Sequence, residues 1–293
     1  MLNTFLKYLQ FEKRYSVNTL TSYQSDLHQF VSFLENQYQL TDLLKAEHRH
    51  IRSWIVALMQ QKITPRSINR KMASLRMFYK FAISREAINH NPVQKIQALK
   101  SPKNLPQFVH ETDINDLLTL FDFDDDFEGQ RDAFILELLY GTGIRLSELI
   151  GLTLNDINLK SGTMKVLGKG NKERIIPFHA TLYERLERYL SFKKNVFSST
   201  DNDPLIVSLK GEKAYPMMIY RVVRKYLDQC TSIDKRSPHV LRHTFATHLL
   251  NKGADLNAVK DLLGHSSLAA TQVYTHNSLD KLKAAFDQAH PKA

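Results

Sequence analysis

The first third of the chain repeats apolar residues at the spacing of amphipathic helices. The segments LNTFLKYLQFEK (2–13) and SVNTLTSYQSDLHQFVSFLENQ (16–37) both follow this spacing, and the second starts with Ser, Asn and Thr, which cap helices well. In SINRKMASLRMFYKFAI (67–83) one apolar stripe recurs every three or four residues. The stripe consists of Ile68, Met72, Leu75, Tyr79 and Ala82. These patterns predict a helical domain over residues 1–88.

The helical pattern stops after this domain. Residues 89–107, NHNPVQKIQALKSPKNLPQ, contain three prolines and many polar side chains, a composition typical of an extended linker. Helical spacing resumes beyond Val109. We therefore predict a linker at residues 89–108 and a second domain at 109–293.

The second domain mixes helical and strand patterns. It opens with helices such as RDAFILELLYGTG (131–143), whose glycines suit a helix C-terminus. Apolar and polar residues then alternate over 157–178 around two turns, which predicts a hairpin. LIVSL (205–209) is a candidate third strand, and helices are predicted again from about Met217. The fold class is mainly α with a small antiparallel β-sheet.

Composition narrows the class of protein. Apolar residues make up 43% and charged residues 24% of the 293 positions, as in soluble globular proteins. No apolar run approaches the roughly 20 residues of a membrane helix, and the N-terminus lacks a signal-peptide core. The single cysteine excludes an internal disulfide and a cysteine-based zinc cluster. We expect a cytoplasmic protein without a membrane segment.

The net charge of +10 is distributed unevenly. Residues 1–105 contain 16 Lys and Arg against 6 Asp and Glu, whereas the rest of the chain has 24 of each kind. A basic domain beside a neutral one favours binding of a polyanion by the first, although a simple solubility effect is the alternative. The candidate phosphate contacts lie off the apolar stripe of 67–83 and are Arg66, Arg70, Arg76 and Lys80.

Three segments of the second domain concentrate side chains that carry chemistry. They are GTGIRLSELIGL (141–152), SPHVLRHTFATHLL (237–250) and GHSSLAATQVYTH (264–276), with the turn LGKGNKER between the first two. The candidate residues, in chain order, are Arg145, Glu148, Lys169, His239, Arg242, His265 and Tyr274.

Several kinds of site are disfavoured. His239 and His243 lie four residues apart and His248 follows, but there is no H-E-x-x-H and no acidic residue at zinc-ligand spacing. Neither glycine-containing turn fits a nucleotide P-loop, and no G-x-S-x-G is present. No neighbouring residues support Cys230 as a nucleophile.

Metal-independent phosphoryl transfer fits the set better. Two arginines can bind the oxygens of a phosphate transition state, and histidines can add hydrogen bonds. A tyrosine can be the nucleophile if nearby cations help it ionise, and a lysine on a turn can protonate the leaving oxygen. Taken singly, each residue has a simpler interpretation: Tyr274 as a packing residue, Lys169 as a solvated one, and Arg145 with Glu148 as an intrahelical pair.

The order of the motifs resembles a known family. G-T-G-I-R-L-S-E-L, G-K-G-N-K-E-R, P-H-x-L-R-H-T-F-A-T-H-L and L-G-H-S-S followed by Y-T-H span about residues 141–276. They are similar to the tyrosine site-specific recombinases of the phage-integrase family, most closely the XerC/XerD branch. The N-terminal third is similar to the helical, SAM-like core-binding domain of that family. The resemblance implies two domains, core-binding and catalytic, that form a C-shaped clamp on double-stranded DNA.

The resemblance also implies roles for single residues. Arg145 and Arg242 would clamp the scissile phosphate, with Glu148 supporting the first arginine. Lys169 would protonate the departing 5′ oxygen, and Tyr274 would attack to leave a 3′-phosphotyrosine. His239 and His265 would assist at the phosphate. No metal and no cofactor are implied, because one phosphodiester is exchanged for an ester of similar energy.

Assembly and cellular role follow from the same resemblance. It implies strand exchange through a Holliday junction, carried out by a homo- or heterotetramer with a paralogous recombinase. Chromosome-dimer resolution is the expected role, and a DNA translocase is a candidate activator. Leu279, Leu282 and Phe286 in the tail 279–293 form an apolar stripe that would make a subunit contact, with packing on its own domain as the alternative. The alternatives are a type IB topoisomerase-like nicking-closing enzyme, a catalytically silent DNA-binding regulator and a metal-dependent nuclease.

Overall fold

The computed structural model describes residues 1–102, 107–168, 172–198, 200 and 203–264. It divides the chain into two units, Met1–Asn104 and Leu105–Ala293. The helices of the first unit are α1 (Leu2–Lys7), α2 (Val17–Tyr38), α3 (His48–Gln60) and α4 (Pro65–Ser84), with a π-helical turn at Tyr8–Glu12 that continues α1. The predicted all-helical character of this region is confirmed.

Local sequence signals explain where the long helices of the first unit begin. The Ser16 side chain accepts a hydrogen bond from the Thr19 backbone N–H and caps α2. Thr64 caps α4 in the same way, and Pro65 occupies the first helical position, where its missing N–H costs nothing. All five residues of the predicted stripe on α4 are buried, and four of them, all but Ala82, belong to a core that includes the aromatic side chains of Phe30 and Trp54.

Part of the predicted linker belongs to the core of the first unit. Val93 is fully buried and Ile96 is 9% exposed within that core. The side chain of Asn69 on α4 donates to the Leu99 carbonyl (2.9 Å) and accepts from the Leu99 backbone N–H (2.8 Å). The unit boundary between residues 104 and 105 thus lies inside the predicted linker, near its C-terminal end.

The second unit is built around one helix that is buried on all sides. Its helices are α5 (Glu111–Thr119), α6 (Phe127–Thr142), α7 (Leu146–Gly151), α8 (Ala180–Val196), α9 (Pro216–Cys230), α10 (Pro238–Asn251) and α11 (Leu256–Leu263). Every residue of α6 from Gly129 to Thr142 is buried, which is expected of a helix at the centre of a domain. Among the described helices of both units, none is long and apolar enough to cross a membrane.

A small antiparallel sheet accompanies these helices, as predicted. Its strands are β1 (Ile157–Asn158), β2 (Thr163–Leu167) and β3 (Glu173–Pro177), in the order β1-β2-β3. On β2 the buried residues are Met164 and Val166, and on β3 Arg174 and Ile176 are buried. The alternation therefore places a charged residue, Arg174, on the inward face of the sheet.

The prediction of a third strand at LIVSL is wrong. Leu205, Ile206 and Val207 are buried, but Val207 forms only an isolated bridge, with Lys213. The chain reverses at once, since the Ser208 backbone N–H bonds to the Glu212 carbonyl (2.7 Å). The apolar run packs into the core at a tight turn, and a run of this length cannot be told from a buried strand by its pattern alone.

Candidate active site

Arg145 lies at the start of helix α7 and is held by Glu148. The Arg145 backbone N–H donates to Glu148 Oε2 (2.8 Å), and its guanidinium Nη1 donates to Glu148 Oε1 (2.8 Å). The Glu148 side chain is 1% exposed, whereas 27% of the Arg145 side chain is exposed. The buried carboxylate therefore orients a guanidinium group that solvent, and a ligand from solvent, can still reach.

The turn before α7 depends on a glycine. Gly143 ends α6 with a φ of +59°, a backbone conformation that favours glycine. A Cβ at this position would lie 2.4 Å from the ring of Phe245, so the close approach of α10 also requires glycine. The predicted helix end at 141–143 is thus confirmed. The Gly143 carbonyl accepts a hydrogen bond from Arg242, the next residue of the site.

Arg242 on α10 is the most buried of the predicted arginines, with 8% of the residue exposed. Its Nη1 donates to the Gly143 carbonyl (2.5 Å) and its Nη2 to the Leu263 carbonyl (2.6 Å). Burial, and then the nearby positive charges of Arg145 and Arg174, lower its pKa to about 10. Arg242 is therefore still a cation at neutral pH, and additional negative charge at this position would be stabilised.

A third arginine, Arg174 on β3, completes the cluster. Its Nη1 and Nη2 donate to the two oxygens of Glu148 (2.6 and 2.8 Å), and its Nε donates to the Leu262 carbonyl (2.9 Å). Burial alone would raise the pKa of Glu148, but the hydrogen bonds from Arg174 and Arg145 outweigh it and hold that pKa at about 2. Glu148 is thus ionised at any physiological pH.

The three arginines converge on the C-terminal end of α11. Arg174 bonds the Leu262 carbonyl, Arg242 bonds the Leu263 carbonyl, and Arg145 Nη2 bonds the Gly264 carbonyl (2.6 Å). Carbonyls at a helix C-terminus lack intrahelical partners and carry the negative end of the helix dipole, so cations stabilise them. The cluster fixes the end of this helix directly before His265.

The charge of the cluster suits an anion. Three guanidinium groups surround one carboxylate, which leaves two positive charges without a counter-carboxylate among the residues described at the site. Arg145 and Arg242 each retain N–H donors beyond the bonds described, because a guanidinium has five. Two such groups side by side can bind a phosphate with several charge-assisted hydrogen bonds.

Of the other predicted catalytic residues, His239 is the one that the structure describes. His239 is exposed on α10, one helical turn before Arg242. The predictions for Lys169, His265, Tyr274 and the stripe of Leu279, Leu282 and Phe286 fall outside the described residues. Gly168 and Gly264, the neighbours of Lys169 and His265 in the chain, are described, and both border the cluster.

The histidine and cysteine alternatives find no support in the described part of the chain. Among the described residues, no three His, Cys, Asp or Glu side chains form a group that could hold a metal ion. His248 is buried and its Nδ1 lies 3.0 Å from the Tyr140 hydroxyl, which gives it a packing role in the core. Burial raises the pKa of the Cys230 thiol to about 11, so little reactive thiolate exists at neutral pH.

The four predicted phosphate contacts of the first unit divide into two pairs. Arg66 and Lys80 are exposed on α4. Arg70 donates two hydrogen bonds to Asp26 on α2 (2.5 and 2.7 Å), and Arg76 donates to the Ile96 carbonyl (2.6 Å). The second pair thus stabilises the fold of the unit, although half of the Arg70 side chain remains exposed.

Two features of the structure are not evident from the sequence motifs. Arg174 is not among the candidate residues, although it stands in the GKGNKER motif and in phase with the inward-facing Ile176. The buried Asp26, which also accepts hydrogen bonds from Lys71 and Ser74, lies within a polar stretch of α2. A charged residue at an inward position of a strand is the one signal that points to Arg174.

Comparison with known protein families identifies the family to which this chain belongs. The profile of the phage integrase family matches residues 107–280, and that of the phage integrase N-terminal SAM-like domain matches residues 2–86. The chain belongs to the phage integrase family. The resemblance drawn from the four motifs is thereby confirmed. The tyrosine recombinases of this family are enzymes that cleave and rejoin DNA.

Curated relatives match along nearly the whole chain. Tyrosine recombinase XerC of Chlorobaculum parvum is 38% identical over 317 residues, which cover 100% of this chain and 94% of that protein. Tyrosine recombinase XerC of Staphylococcus epidermidis is 40% identical over 291 residues, covering 99% and 97%. The predicted closeness to the Xer branch of the family is therefore confirmed.

Solved structures share the fold at low sequence identity. The Tn1549 transposon integrase in complex with circular intermediate DNA is 22% identical with a TM-score of 0.69, covering 96% of this chain and 97% of that one. The XerH site-specific recombinase bound to palindromic difH substrate is 19% identical with a TM-score of 0.72, covering 97% and 84%. The predicted two-domain fold, SAM-like and catalytic, is confirmed.

Proposed function

We propose that this enzyme is a site-specific DNA recombinase whose nucleophile is Tyr274 and whose phosphate clamp is the pair Arg145 and Arg242. The observation that carries the proposal is the convergence of these two arginines at the C-terminal end of α11. Their surplus positive charge matches the charge that a phosphodiester gains as it is attacked. The two guanidinium groups thus supply the electrostatic stabilisation that phosphoryl transfer needs.

The reaction begins with attack of the Tyr274 oxygen on the scissile phosphorus. The new O–P bond forms as the bond from phosphorus to the 5′ oxygen breaks, and Lys169 delivers a proton to that oxygen. A 3′-phosphotyrosyl ester and a free 5′ hydroxyl result. The unperturbed pKa of tyrosine is about 10, so the cations around the phosphate must favour its ionised form, and a base, for which His239 is a candidate, takes the hydroxyl proton. The 5′ hydroxyl of a second strand then reverses the chemistry and yields a Holliday junction.

Chain connectivity supports the roles of the two residues that flank the described part of the site. A Cβ added at Gly168 would lie 3.5 Å from Glu148 Oε1, so the backbone directly before Lys169 borders the cluster. The Gly264 carbonyl, directly before His265, accepts a hydrogen bond from Arg145. Adjacent Cα atoms are about 3.8 Å apart, so the positions of Gly168 and Gly264 support roles for the residues that follow them at a phosphate held by the arginines.

Its partners and role are proposed from the relatives and from the charge of the first unit. The exposed Arg66 and Lys80 are assigned to phosphates of the duplex, with Arg70 and Arg76 as further contacts. The enzyme would act on DNA as a homo- or heterotetramer with a paralogous recombinase, and a DNA translocase would activate it. The proposal also includes a cytoplasmic location and a role in resolving chromosome dimers. The relatives named tyrosine recombinase XerC support this assignment.

A covalent-adduct assay tests the proposal. A nicked duplex from a pooled library of candidate sites would be incubated with the wild type and with Tyr274→Phe, in EDTA, and separated on a denaturing gel. We expect an adduct for the wild type only. An adduct with the phenylalanine variant would contradict the role of Tyr274, and DNA cleavage without an adduct, seen with Mg²⁺ but not in EDTA, would indicate a metal-dependent nuclease.

A second assay separates recombination from the nicking-closing alternative. A plasmid with two copies of the site that gave the adduct would be compared with a supercoiled plasmid carrying one copy. Excision from the first plasmid supports recombination. Relaxation of the second plasmid without any excision from the first would identify a topoisomerase-like enzyme instead.

A further inference from the structure

Arg174 is a buried charge to which the proposed reaction assigns no step. It is 5% exposed, and all three of its guanidinium nitrogens donate hydrogen bonds to other elements of the second unit. Two of them bond Glu148 on α7, and the third bonds the Leu262 carbonyl at the end of α11. A buried arginine with such a complete set of partners fixes the relative position of the elements that it joins.

The strand that carries Arg174 is one arm of the hairpin that leads to Lys169. Val166 on β2 pairs with Arg174 on β3, and the Gly168 backbone N–H bonds to the Lys172 carbonyl (2.7 Å). The far end of this hairpin is packed into the core by Met164 and Ile176. Of the described hairpin side chains near Gly168, Arg174 is the one with hydrogen bonds to Glu148 on α7 and to the end of α11.

The two elements that Arg174 contacts are held by other bonds as well. Glu148 stays bonded to the backbone and side chain of Arg145, and the end of α11 stays bonded to Arg145 and Arg242. Loss of Arg174 would therefore leave the phosphate clamp in place and release the hairpin. Lys169 follows Gly168 in the chain, so the proposed proton donor is the residue that a displaced hairpin would affect.

Close packing around Gly264 indicates the same fixed geometry. Gly264 has a φ of +63°, and a Cβ there would lie 3.1 Å from Arg174 Cδ and 3.2 Å from its Nε. Glycine at this position lets the arginine side chain lie directly against the backbone that precedes His265. The hairpin and the end of α11 are thus in contact through the side chain of Arg174.

We propose that Arg174 is a positioning residue for DNA cleavage, because it holds the hairpin so that Lys169 reaches the leaving 5′ oxygen. The inference rests on the role of Lys169 in the proposed function. Misplacement of a catalytic group by about 1 Å costs on the order of 100-fold in rate. Arg174→Lys keeps the charge but cannot bond both oxygens of Glu148 and the Leu262 carbonyl with one ammonium.

A leaving-group substitution tests this role. The duplex that gives an adduct with the wild type would be prepared with sulfur in place of the leaving 5′ oxygen. A thiol has a pKa of about 8.5, so the thiolate leaves without a proton from Lys169. On the ordinary duplex we expect Lys169→Met and Arg174→Lys to cleave on the order of 100-fold more slowly than the wild type. On the sulfur duplex both should regain most of the wild-type rate.

Matched variants make the result specific. Arg242→Lys, which weakens the phosphate clamp, should be slow on both duplexes. Arg188→Lys, in an exposed ion pair of the same unit, should match the wild type on both. Arg174→Gln is a second variant in case Arg174→Lys is unstable. Rescue of Lys169→Met but of neither Arg174 variant overturns the proposal, and failure to rescue Lys169→Met overturns the role of the lysine and the proposal with it.

Discussion

Each unit of the molecule contains a buried carboxylate that cationic side chains hold by hydrogen bonds, and the two clusters differ in the elements that they join. In the first unit Asp26 on α2 accepts hydrogen bonds from Arg70, Lys71 and Ser74, all on α4. In the second unit Glu148 accepts hydrogen bonds from Arg145 and Arg174, which lie on different elements. The first cluster fastens two helices, whereas the second gathers a helix start, a strand and a helix end.

The difference in charge is as informative as the difference in topology. Both clusters have more positive than negative charges. In the second unit a third cation, Arg242, lies beside the other two arginines, and its described hydrogen bonds go only to carbonyls. Carbonyls neutralise a guanidinium only partially. A buried carboxylate bonded by cations can therefore stabilise the fold in one unit and form part of an anion-binding site in the other.

The largest effect is expected from Arg242→Lys. A single ammonium cannot bond the Gly143 and Leu263 carbonyls and a phosphate in the same geometry, so cleavage should slow about 100- to 1000-fold. Single-turnover cleavage of the nicked duplex measures the rate, and a gel-shift titration checks that DNA affinity changes much less. A rate within a few-fold of the wild type would exclude Arg242 from the phosphate clamp.

Glu148→Gln should destabilise the second unit in a pH-dependent way. The native pKa of about 2 lies below the ordinary value of 4.5, so ionised Glu148 contributes about 3 kcal/mol above pH 4.5, and this is lost as the pH falls towards 2. Urea unfolding followed by circular dichroism at pH 7, 5.5 and 4 measures the difference between variant and wild type. A difference that does not narrow below pH 4.5 would contradict the assignment.

Asp26→Asn should act on the first unit alone. It removes a charge-assisted hydrogen-bond network and should lower the stability of that unit by about 2 kcal/mol. Trp54, the single tryptophan of the chain, is buried in this unit, so its fluorescence reports the unfolding transition selectively. If Glu148→Gln shifts the unfolding transition of Trp54 as much as Asp26→Asn does, the assignment of each cluster to the stability of its own unit is contradicted.

The smallest effects are expected at the exposed cations of the first unit. If each of these side chains neutralises one phosphate, Arg66→Gln and Lys80→Gln should each reduce the slope of log affinity against log salt by about 0.9. Arg188→Gln, in an exposed pair of the second unit, serves as the control and should leave the slope unchanged. Equal slopes for all three variants and the wild type would place the DNA-binding cations elsewhere.

Local rules are enough to predict most of the helices and one end of the site. The Ser16 cap, the apolar stripe of α4 and the glycine that ends α6 at Gly143 are short-range signals, and all three are confirmed. The alternation that predicts β2 and β3 is also a short-range signal. These features depend on neighbours within about one turn of the chain, which a sequence displays directly.

The remaining features depend on contacts between distant residues. The run at 205–209 bends because Glu212 turns back onto Ser208, and an apolar pattern does not show where a buried segment reverses. Asp26 and Arg70 are 44 residues apart, and Arg174 meets Leu262 across 88 residues. A sequence pattern assigns charged residues of this kind to the surface, because only the fold shows that their partners are buried with them.

The most direct test of the arginine clamp is a crystal structure of the Tyr274→Phe variant bound to the duplex that gives the adduct. We predict that Arg145 and Arg242 both lie within hydrogen-bond distance of the non-bridging oxygens of one phosphate, while Arg174 stays on Glu148 and the Leu262 carbonyl. A phosphate opposite residue 274 that contacts neither Arg145 nor Arg242 would contradict the account.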